Sequence, residues 1–313
     1  MNRRTLFGRM QQFAARAYGP TWAAGLAHMA RGEGNYYGHN AILRIAPFRE
    51  HCELPVLRGK APLGGHVLSH DFVEAALMRR AGYKVYLATA LDGSFEEPPP
   101  TLIDYAARDR RWCQGNLQHT RLLGSPASTR SAELHLMLGV MSHLASPLWI
   151  LLLLLATVEA LRWKLTEHEY FKPGARSSRF GRSRSRHKPQ FFRVGDAPLF
   201  LPRGLALIST MRDRRERLHF GGERALAASG IAECLFSMLI APVLALAHTQ
   251  SVISILMGRT TGWTSQARGD RGTSLREAIL RHAGSRCWVW RGRGYCLHHS
   301  TELFLGCRRC WRG

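Results

Sequence analysis

The sequence predicts an α/β layer followed by α-helical membrane segments. Two short apolar runs, residues 41–46 and 84–88, have the length and composition of strands, and an amphipathic helix over residues 71–81 separates them. The order strand, helix, strand is typical of an α/β layer. Two long apolar runs, residues 134–161 and 225–256, then predict membrane segments.

Composition excludes several classes of protein. The 313 residues are 45% hydrophobic and 21% charged, which is enough apolar content for a core. Wholesale disorder, a collagenous repeat and a small disulfide scaffold are therefore excluded. The formal net charge is +22, to which residues 176–193 contribute +7 and residues 281–313 contribute +6. The N-terminus has no continuous apolar run before Arg16 and is not a signal peptide.

The two apolar runs differ in how clearly they predict a membrane span. The run from Leu134 to Leu161 has 28 residues, and its only ionisable groups are two histidines and one glutamate. At about 1.5 Å per residue it crosses a hydrocarbon core of about 30 Å, although a buried helix of a soluble domain is the alternative. The second run remains open between a span, a broken span and an interfacial helix, because it is interrupted by Glu233, Pro242 and His248.

The N-terminal segment predicts a helix. Apolar residues recur at helical spacing over residues 4–18, which favours a helix facing the core over a membrane anchor. The strand at residues 84–88 is entered through Gly82 from the helix over residues 71–81.

Two basic segments have no apolar content to bury. The tract around residues 176–193 predicts a solvated loop, with contact to anionic lipid, RNA binding and out-of-frame translation of GC-rich DNA as alternative explanations. The tail after Ile279 has a similar arginine-rich composition. Its four cysteines contain one CxxC pair, Cys307 and Cys310, but no second short pair, so out-of-frame sequence is favoured over a zinc site.

Asp71 is the first candidate site residue. It lies at the start of the predicted helix, where free backbone N–H groups and the helix dipole stabilise a carboxylate. Taken alone, the residue is better explained as a helix cap that contributes roughly 1 kcal/mol.

The second candidate lies in Arg108–Asn116, which reads RDRRWCQGN. Three arginines and Trp112 within five residues suit a diphosphate and a sugar ring, since guanidinium groups bind phosphate oxygens in pairs. By spacing alone, a solvated helix face with the indole packed beneath it is the favoured interpretation.

Four stretches together carry a resemblance to a family. The chain resembles the processive family-two glycosyltransferases of membranes, the group of cellulose and hyaluronan synthases, and within it the bacterial enzymes that make osmoregulated periplasmic glucans. The resemblance covers about residues 3–172 and 198–279, and the stretches that carry it are GEGNYYGHNAILRIAPF (32–48), GGHVLSHDFVEAALMRRAGYKVYLA (64–88), EEPPPTLIDYAARDRRWCQGNLQH (96–119) and GRTTGWTSQARGDRGTSLREA (258–278).

The resemblance implies roles for single residues. The acidic motif usually written TED appears as Ser69-His70-Asp71, which implies that Asp71 is the general base for the acceptor hydroxyl. The QxxRW motif appears with Arg108 in place of Gln, and Arg111 and Trp112 are implied to hold the nucleotide diphosphate and the acceptor end. The substrate-binding residues implied in this way are His70, Arg108, Arg111, Trp112 and Gln114.

The resemblance also implies partners and a place in the cell. UDP-glucose, a growing β-glucan acceptor and the lipid bilayer are the expected partners, nucleic acid is not expected, and Mg²⁺ is the cofactor of the family. We expect a multi-pass protein of the bacterial inner membrane with its catalytic part in the cytoplasm, because the basic segment 211–217 prefers that side.

One departure concerns the donor half of such an enzyme. The family's two earlier aspartate motifs, including the DxD that holds the metal, have no counterpart, because no Asp precedes Asp71. We therefore expect an N-terminally truncated and partly frame-shifted fragment that transfers no glucose by itself. A non-catalytic membrane protein with a basic loop that binds anionic lipid or nucleic acid, and an enzyme whose other half is a separate chain, are the alternatives.

The expected organisation has six parts. They are the C-terminal part of a GT-A-like glycosyltransferase domain (1–130), a transmembrane helix (131–163), a basic loop (164–224), a membrane or interfacial helix (225–257), a cytoplasmic amphipathic segment (258–279) and an aberrant Arg/Cys-rich tail (280–313).

Overall fold

The fold is known from a computed structural model. It describes residues 4–91, 93, 95–125, 129–165, 188–260, 272–274 and 276–277. Its helices are α1 (Leu6–Ala30), α2 (Ile45–His51), α3 (His70–Arg80), α4 (Leu102–Gln118), a 3₁₀ turn (His119–Arg121), α5 (Arg130–Leu165), α6 (Lys188–Arg212), α7 (Arg214–His219) and α8 (Glu223–Leu256).

The described residues are helical and contain no β-strand, so they do not confirm the α/β expectation. The strand predicted at residues 41–46 is wrong: the chain there has no regular structure before α2 begins at Ile45. Pro47 explains the difference, because proline is favourable in the first turn of a helix. Residues 84–88 form no strand either, and only Val85 pairs, in an isolated parallel bridge with Glu33.

The N-terminal helix faces the interior, as predicted, but is longer than residues 4–18. The Thr5 side chain caps it by accepting a hydrogen bond from the backbone N–H of Gly8 at 3.1 Å. Phe7, Ala17 and Tyr18 are buried. The helix continues to Ala30 through Pro20.

Two helices are long and apolar enough to cross a membrane. Both α5 and α8 contain an 18-residue window with a mean hydropathy of 2.0 or more, and this assignment rests on length and composition alone. Most large apolar side chains between residues 148 and 165 are exposed, as lipid-facing side chains are. In α8 the helix passes through Pro242 without a break, which excludes the broken span.

The main core lies where α4 meets these two helices. The buried residues in contact there are Cys113 and Leu117 of α4, Val140 of α5, and Val252 and Ile255 of α8. This junction fixes the position of α4 against the two candidate spans.

A second junction joins α1, α6 and α8. Glu233 of α8 is buried, accepts a hydrogen bond from the Tyr18 hydroxyl at 3.1 Å and lies 3.9 Å from the Arg203 guanidinium. A buried carboxylate is tolerated when it has such partners. Within the segment expected to be a basic loop (164–224), residues 188–212 and 214–219 are helical.

Several expectations fall outside the described residues. These are most of the Arg/Ser tract (176–187), most of the amphipathic segment 258–279, and the tail 280–313 with its cysteines. They remain predictions.

We expect Ile255→Ala to weaken the α4–α5–α8 junction. Ile255 is fully buried there, and truncation of such a side chain costs about 2–5 kcal/mol through lost contacts and a cavity. Urea denaturation in detergent micelles measures the loss. Leu256→Ala is the control, because that neighbour is 62% exposed and its truncation should change the free energy of unfolding little. Equal effects of the two changes would contradict the packing described.

Candidate active site

Asp71 lies in the first turn of α3, as the sequence predicts. Burial raises the pKa of its carboxyl, and the backbone N–H of Phe72, the nearby His70 and its own backbone N–H counteract part of that shift. The carboxylate is therefore partly withdrawn from water at the positive end of a helix, a setting that suits both a cap and a proton acceptor.

A loop of the chain covers this carboxylate. A Cβ atom on Gly38, whose φ is +76°, would lie 3.7 Å from the Asp71 Oδ2 atom. The Tyr37 ring packs edge-on against Phe72, with ring centroids 6.1 Å apart. Burial, and then the charge of Asp71, raise the pKa of Tyr37, which places its hydroxyl in the field of the carboxylate.

A buried glutamate attaches this loop to α3. Glu74 accepts a hydrogen bond from the Tyr36 hydroxyl at 2.7 Å, and its other oxygen lies 3.0 Å from His70 Nδ1. Its position one turn after His70 on α3 brings both partners within reach. Glu74 thereby fixes the orientation of His70 and holds the loop above Asp71.

Arg108 and Trp112 form a stacked pair on α4. The Arg108 guanidinium carbon lies 4.4 Å from the centroid of the Trp112 ring and 5.1 Å from that of Tyr105. The Trp112 side chain remains 45% exposed. Cation–π attraction orders the indole while one part of it stays open to a ligand.

The second half of α4 binds the segment that leads into α3. Gln114 donates to the Pro62 carbonyl at 3.2 Å, and the Gln118 side chain bridges the His66 carbonyl and the Leu68 N–H at 3.1 and 2.9 Å. These contacts explain the burial of both glutamine side chains, and they fix residues 62–68 along the helix.

Ser69, directly before His70, is in still closer contact with the end of α4. A Cβ atom on Gly115 would lie 2.3 Å from the Ser69 Oγ atom and 2.9 Å from its backbone nitrogen, so only glycine allows this approach. His119 Nε2 lies 3.1 Å from the Ser69 carbonyl oxygen, and because a carbonyl only accepts, this nitrogen carries the proton. Burial lowers the pKa of His119, which favours the neutral ring.

These contacts bring the two sequence motifs together. At about 100° per residue, Arg108, Arg111 and Trp112 share one face of α4. Gly115 and His119 continue the same face toward the C-terminus of the helix, where the start of α3 is attached. We call the surface of Arg108, Arg111 and Trp112 the motif face. Asp71 therefore lies beyond the C-terminal end of the motif face.

The predicted substrate-binding residues differ from one another in burial and in their partners. Arg111 is half-buried on the motif face, and His70 is half-exposed beside Glu74. Gln114, predicted to bind substrate, is buried, and its amide is committed to the backbone before α3.

Sequence reasoning missed four residues of the site: Tyr36, Glu74, Gln118 and His119. One signal was present, because polar residues at 114, 118 and 119 recur at helical spacing beside a glycine.

No group of three or more His, Cys, Asp or Glu side chains within the described ranges is placed to hold a metal ion. The described residues therefore do not fit Mg²⁺, which needs several oxygen ligands.

Comparison with known proteins gives one family and a consistent set of relatives. The family described as glycosyl transferase family group 2 matches residues 4–163. Proteins named glucans biosynthesis glucosyltransferase H are similar over nine tenths of the chain: 44% identical in Vibrio cholerae serotype O1, 44% in Bradyrhizobium diazoefficiens and 43% in Shewanella baltica. No solved structure matches.

The relatives are longer than this chain. The matched part is 39% of the Vibrio cholerae protein and 38% of the Bradyrhizobium diazoefficiens protein, so the chain spans about two fifths of their length.

We expect Gly115→Ala to disturb the attachment of α3 to α4. The added methyl group would meet the Ser69 backbone nitrogen, which cannot move aside as a flexible side chain can, and such overpacking costs about 1–3 kcal/mol. Thermal unfolding in detergent measures the loss. Gly25→Ala in α1 is the matched control: its Cβ meets nothing within 4 Å, and the change should be neutral or stabilising. A neutral Gly115→Ala would contradict the close approach.

We expect Asp71 to make stability depend on pH. Its pKa in the folded chain is raised above the ordinary value of 3.8, so around and above that value the folded state binds more protons than the unfolded state. Stability from this group then falls as pH rises through that window. Asp71→Asn removes the dependence and should be more stable than the unmodified chain at neutral pH, as denaturation from pH 3.5 to 7.5 would show. A difference between the two proteins that stays constant with pH would refute this.

Proposed function

Because this chain belongs to the glycosyl transferase family group 2, we propose that its described part forms the acceptor side of an inverting glucosyltransferase that extends a β-glucan from UDP-glucose. The observation that supports this most is the attachment of α3 to α4 through Gly115, which holds Asp71 beyond the end of the motif face.

Asp71 is the general base in this proposal. The acceptor hydroxyl attacks the anomeric carbon of the glucose, its proton passes to the Asp71 carboxylate, and the bond to the diphosphate oxygen breaks with its electron pair leaving on UDP. Burial raises the proton affinity of this carboxyl, which favours it as the acceptor. The loop of Tyr36, Tyr37 and Gly38 limits access of water to it.

The motif face holds the leaving group and the acceptor end. Arg111, with Arg108 beside it, supplies positive charge for the negative charge that develops on the diphosphate. The exposed part of the Trp112 ring, ordered by the Arg108 guanidinium at 4.4 Å, offers a flat apolar surface for a sugar ring. Both ligands are thereby oriented before reaction.

The donor side is proposed to come from residues other than those described. The described residues do not fit Mg²⁺. The longer relatives are consistent with a donor half elsewhere, either in a longer chain or in a separate one.

The membrane is the proposed site of action. The helices α5 and α8 are long and apolar enough to span it, and they pack against α4 on the side away from the motif face. The basic residues 211–217 favour the cytoplasmic side of a bacterial inner membrane, where nucleotide sugars are available.

A chimera tests the proposal. Residues 4–163 replace the matching segment of the Vibrio cholerae relative, and membranes with the chimera receive radiolabelled UDP-glucose. We expect incorporation into polymer, and a loss of about 100-fold or more with Asp71→Asn, the range of general base catalysis. Membranes with the unmodified 313-residue chain alone should make no polymer.

The matched control is Glu53→Gln, the same carboxylate-to-amide change at an exposed position, which should leave incorporation intact. The proposal fails if a well-expressed chimera is inactive, or if Asp71→Asn remains active. Polymer made by the chain alone would place a donor site within it.

A further inference from the structure

A polar cluster closes one end of the apolar junction between α4, α5 and α8. On α4 the stripe Asp109, Cys113, Leu117 advances one turn at a time, and Asp109 is its only charged member. At the same level α5 contributes His143 and α8 contributes His248. One acidic side chain and two imidazoles thus meet where apolar packing ends.

The three side chains are in contact. The Asp109 Oδ2 atom lies 2.5 Å from His248 Nε2 and 3.6 Å from His143 Nε2, and the two histidine rings are 5.7 Å apart between centroids. The Asp109 side chain is 11% exposed and that of His143 is 6% exposed. The cluster is therefore largely withdrawn from solvent.

Serine side chains orient both imidazoles from behind. Ser142 Oγ lies 3.0 Å from His143 Nδ1, and Ser146 Oγ of α5 lies 3.2 Å from His248 Nδ1 of α8. Both rings therefore direct Nε2 toward the same carboxylate oxygen. Ionisable groups in apolar helices are costly unless they have such partners. Among the described residues neither Asp109 Oδ2 nor His248 Nε2 makes a hydrogen bond of good geometry, so the 2.5 Å approach of these two atoms is a close electrostatic contact.

We propose that Asp109 is a positioning residue. Its carboxylate, held between His143 and His248, fixes the position of α4 against the two candidate membrane helices and thereby orients the motif face. Apolar stripes alone let a helix slide or rotate by small amounts at little cost, whereas a charged contact at one end fixes rotation and depth.

The position of Asp109 in the sequence makes this coupling direct. It follows Arg108 immediately, yet about 100° of helical rotation directs it to the junction, whereas Arg108, Arg111 and Trp112 point to the other side. A rotation of α4 about its axis therefore displaces the arginines and the indole together. An effect on substrate binding rests on the proposed function, whereas the positioning of α4 by Asp109 does not.

The test uses the full chain in lipid nanodiscs and two readouts that do not require activity. Cys113 is fully buried one turn from Asp109, and burial raises the pKa of its thiol to about 12. We expect Asp109→Asn, which keeps the shape but removes the charge, to raise the rate of Cys113 alkylation by N-ethylmaleimide about tenfold through local opening. Mass spectrometry resolves this thiol from the others.

The second readout is the emission of Trp112, obtained as the difference between each protein and its Trp112→Phe derivative. We expect Asp109→Asn to change this emission, because the indole moves with the helix. His248→Gln should reproduce both effects, and the double variant should add little to either single change, since both remove the same contact. Asp109→Glu restores the charge and should recover most of the protection.

The matched control is Asp104→Asn, the same change in the first turn of the same helix, at a carboxylate that accepts a hydrogen bond from the hydroxyl of the capping Thr101 at 2.7 Å. It should leave Cys113 protected. An unchanged rate of Cys113 alkylation in Asp109→Asn and His248→Gln would overturn the proposal that Asp109 positions α4. Faster Cys113 alkylation with constant Trp112 emission would overturn the proposed influence of Asp109 on the orientation of the motif face. An inactive chimera, with α4 still positioned by Asp109 in both readouts, would count against the proposed function alone.

Discussion

The close approach of Gly115 to Ser69 is the constraint on which the site depends. Two helices from separate parts of the chain meet at a point where no side chain fits, and the side chains of Gln118 and His119 bind the backbone of residues 66–69 beside that point. The acidic motif at the start of α3 and the basic motif on α4 thereby share one rigid support. Each motif alone has an ordinary structural explanation, whereas their fixed relation suits the transfer of a sugar.

The apolar helices α5 and α8 carry few ionisable groups, and those that pack inward have partners. Glu233 meets Tyr18 and Arg203 from two other helices, and Asp109 meets one histidine from each candidate span. Apolar side chains provide most of the contact area, but they specify orientation weakly. The charged contacts at helix junctions add the specificity, since a displaced partner would leave a buried charge uncompensated.

Sequence and structure agree where the prediction depends on neighbouring residues, and they differ where it depends on residues far apart in the chain. The helix α3 begins within one residue of the prediction, and both long apolar runs are helices, because periodicity and length are local properties. The strand predicted at residues 41–46 is wrong because a short apolar run is ambiguous, and Pro47 lies in the first turn of a helix that begins at Ile45. A strand also needs a pairing partner, which its own residues do not specify.

The sequence by itself determined the family, the long apolar helices and the identity of Asp71, Arg108, Arg111 and Trp112 as site candidates, since each depends on residue types at fixed spacing. Only the tertiary structure decided that Gln114 is buried against backbone, that Glu74 and Tyr36 hold the loop over Asp71, and that Asp109 faces two histidines. These contacts join residues far apart in the chain, and their geometry exists only once the helices pack.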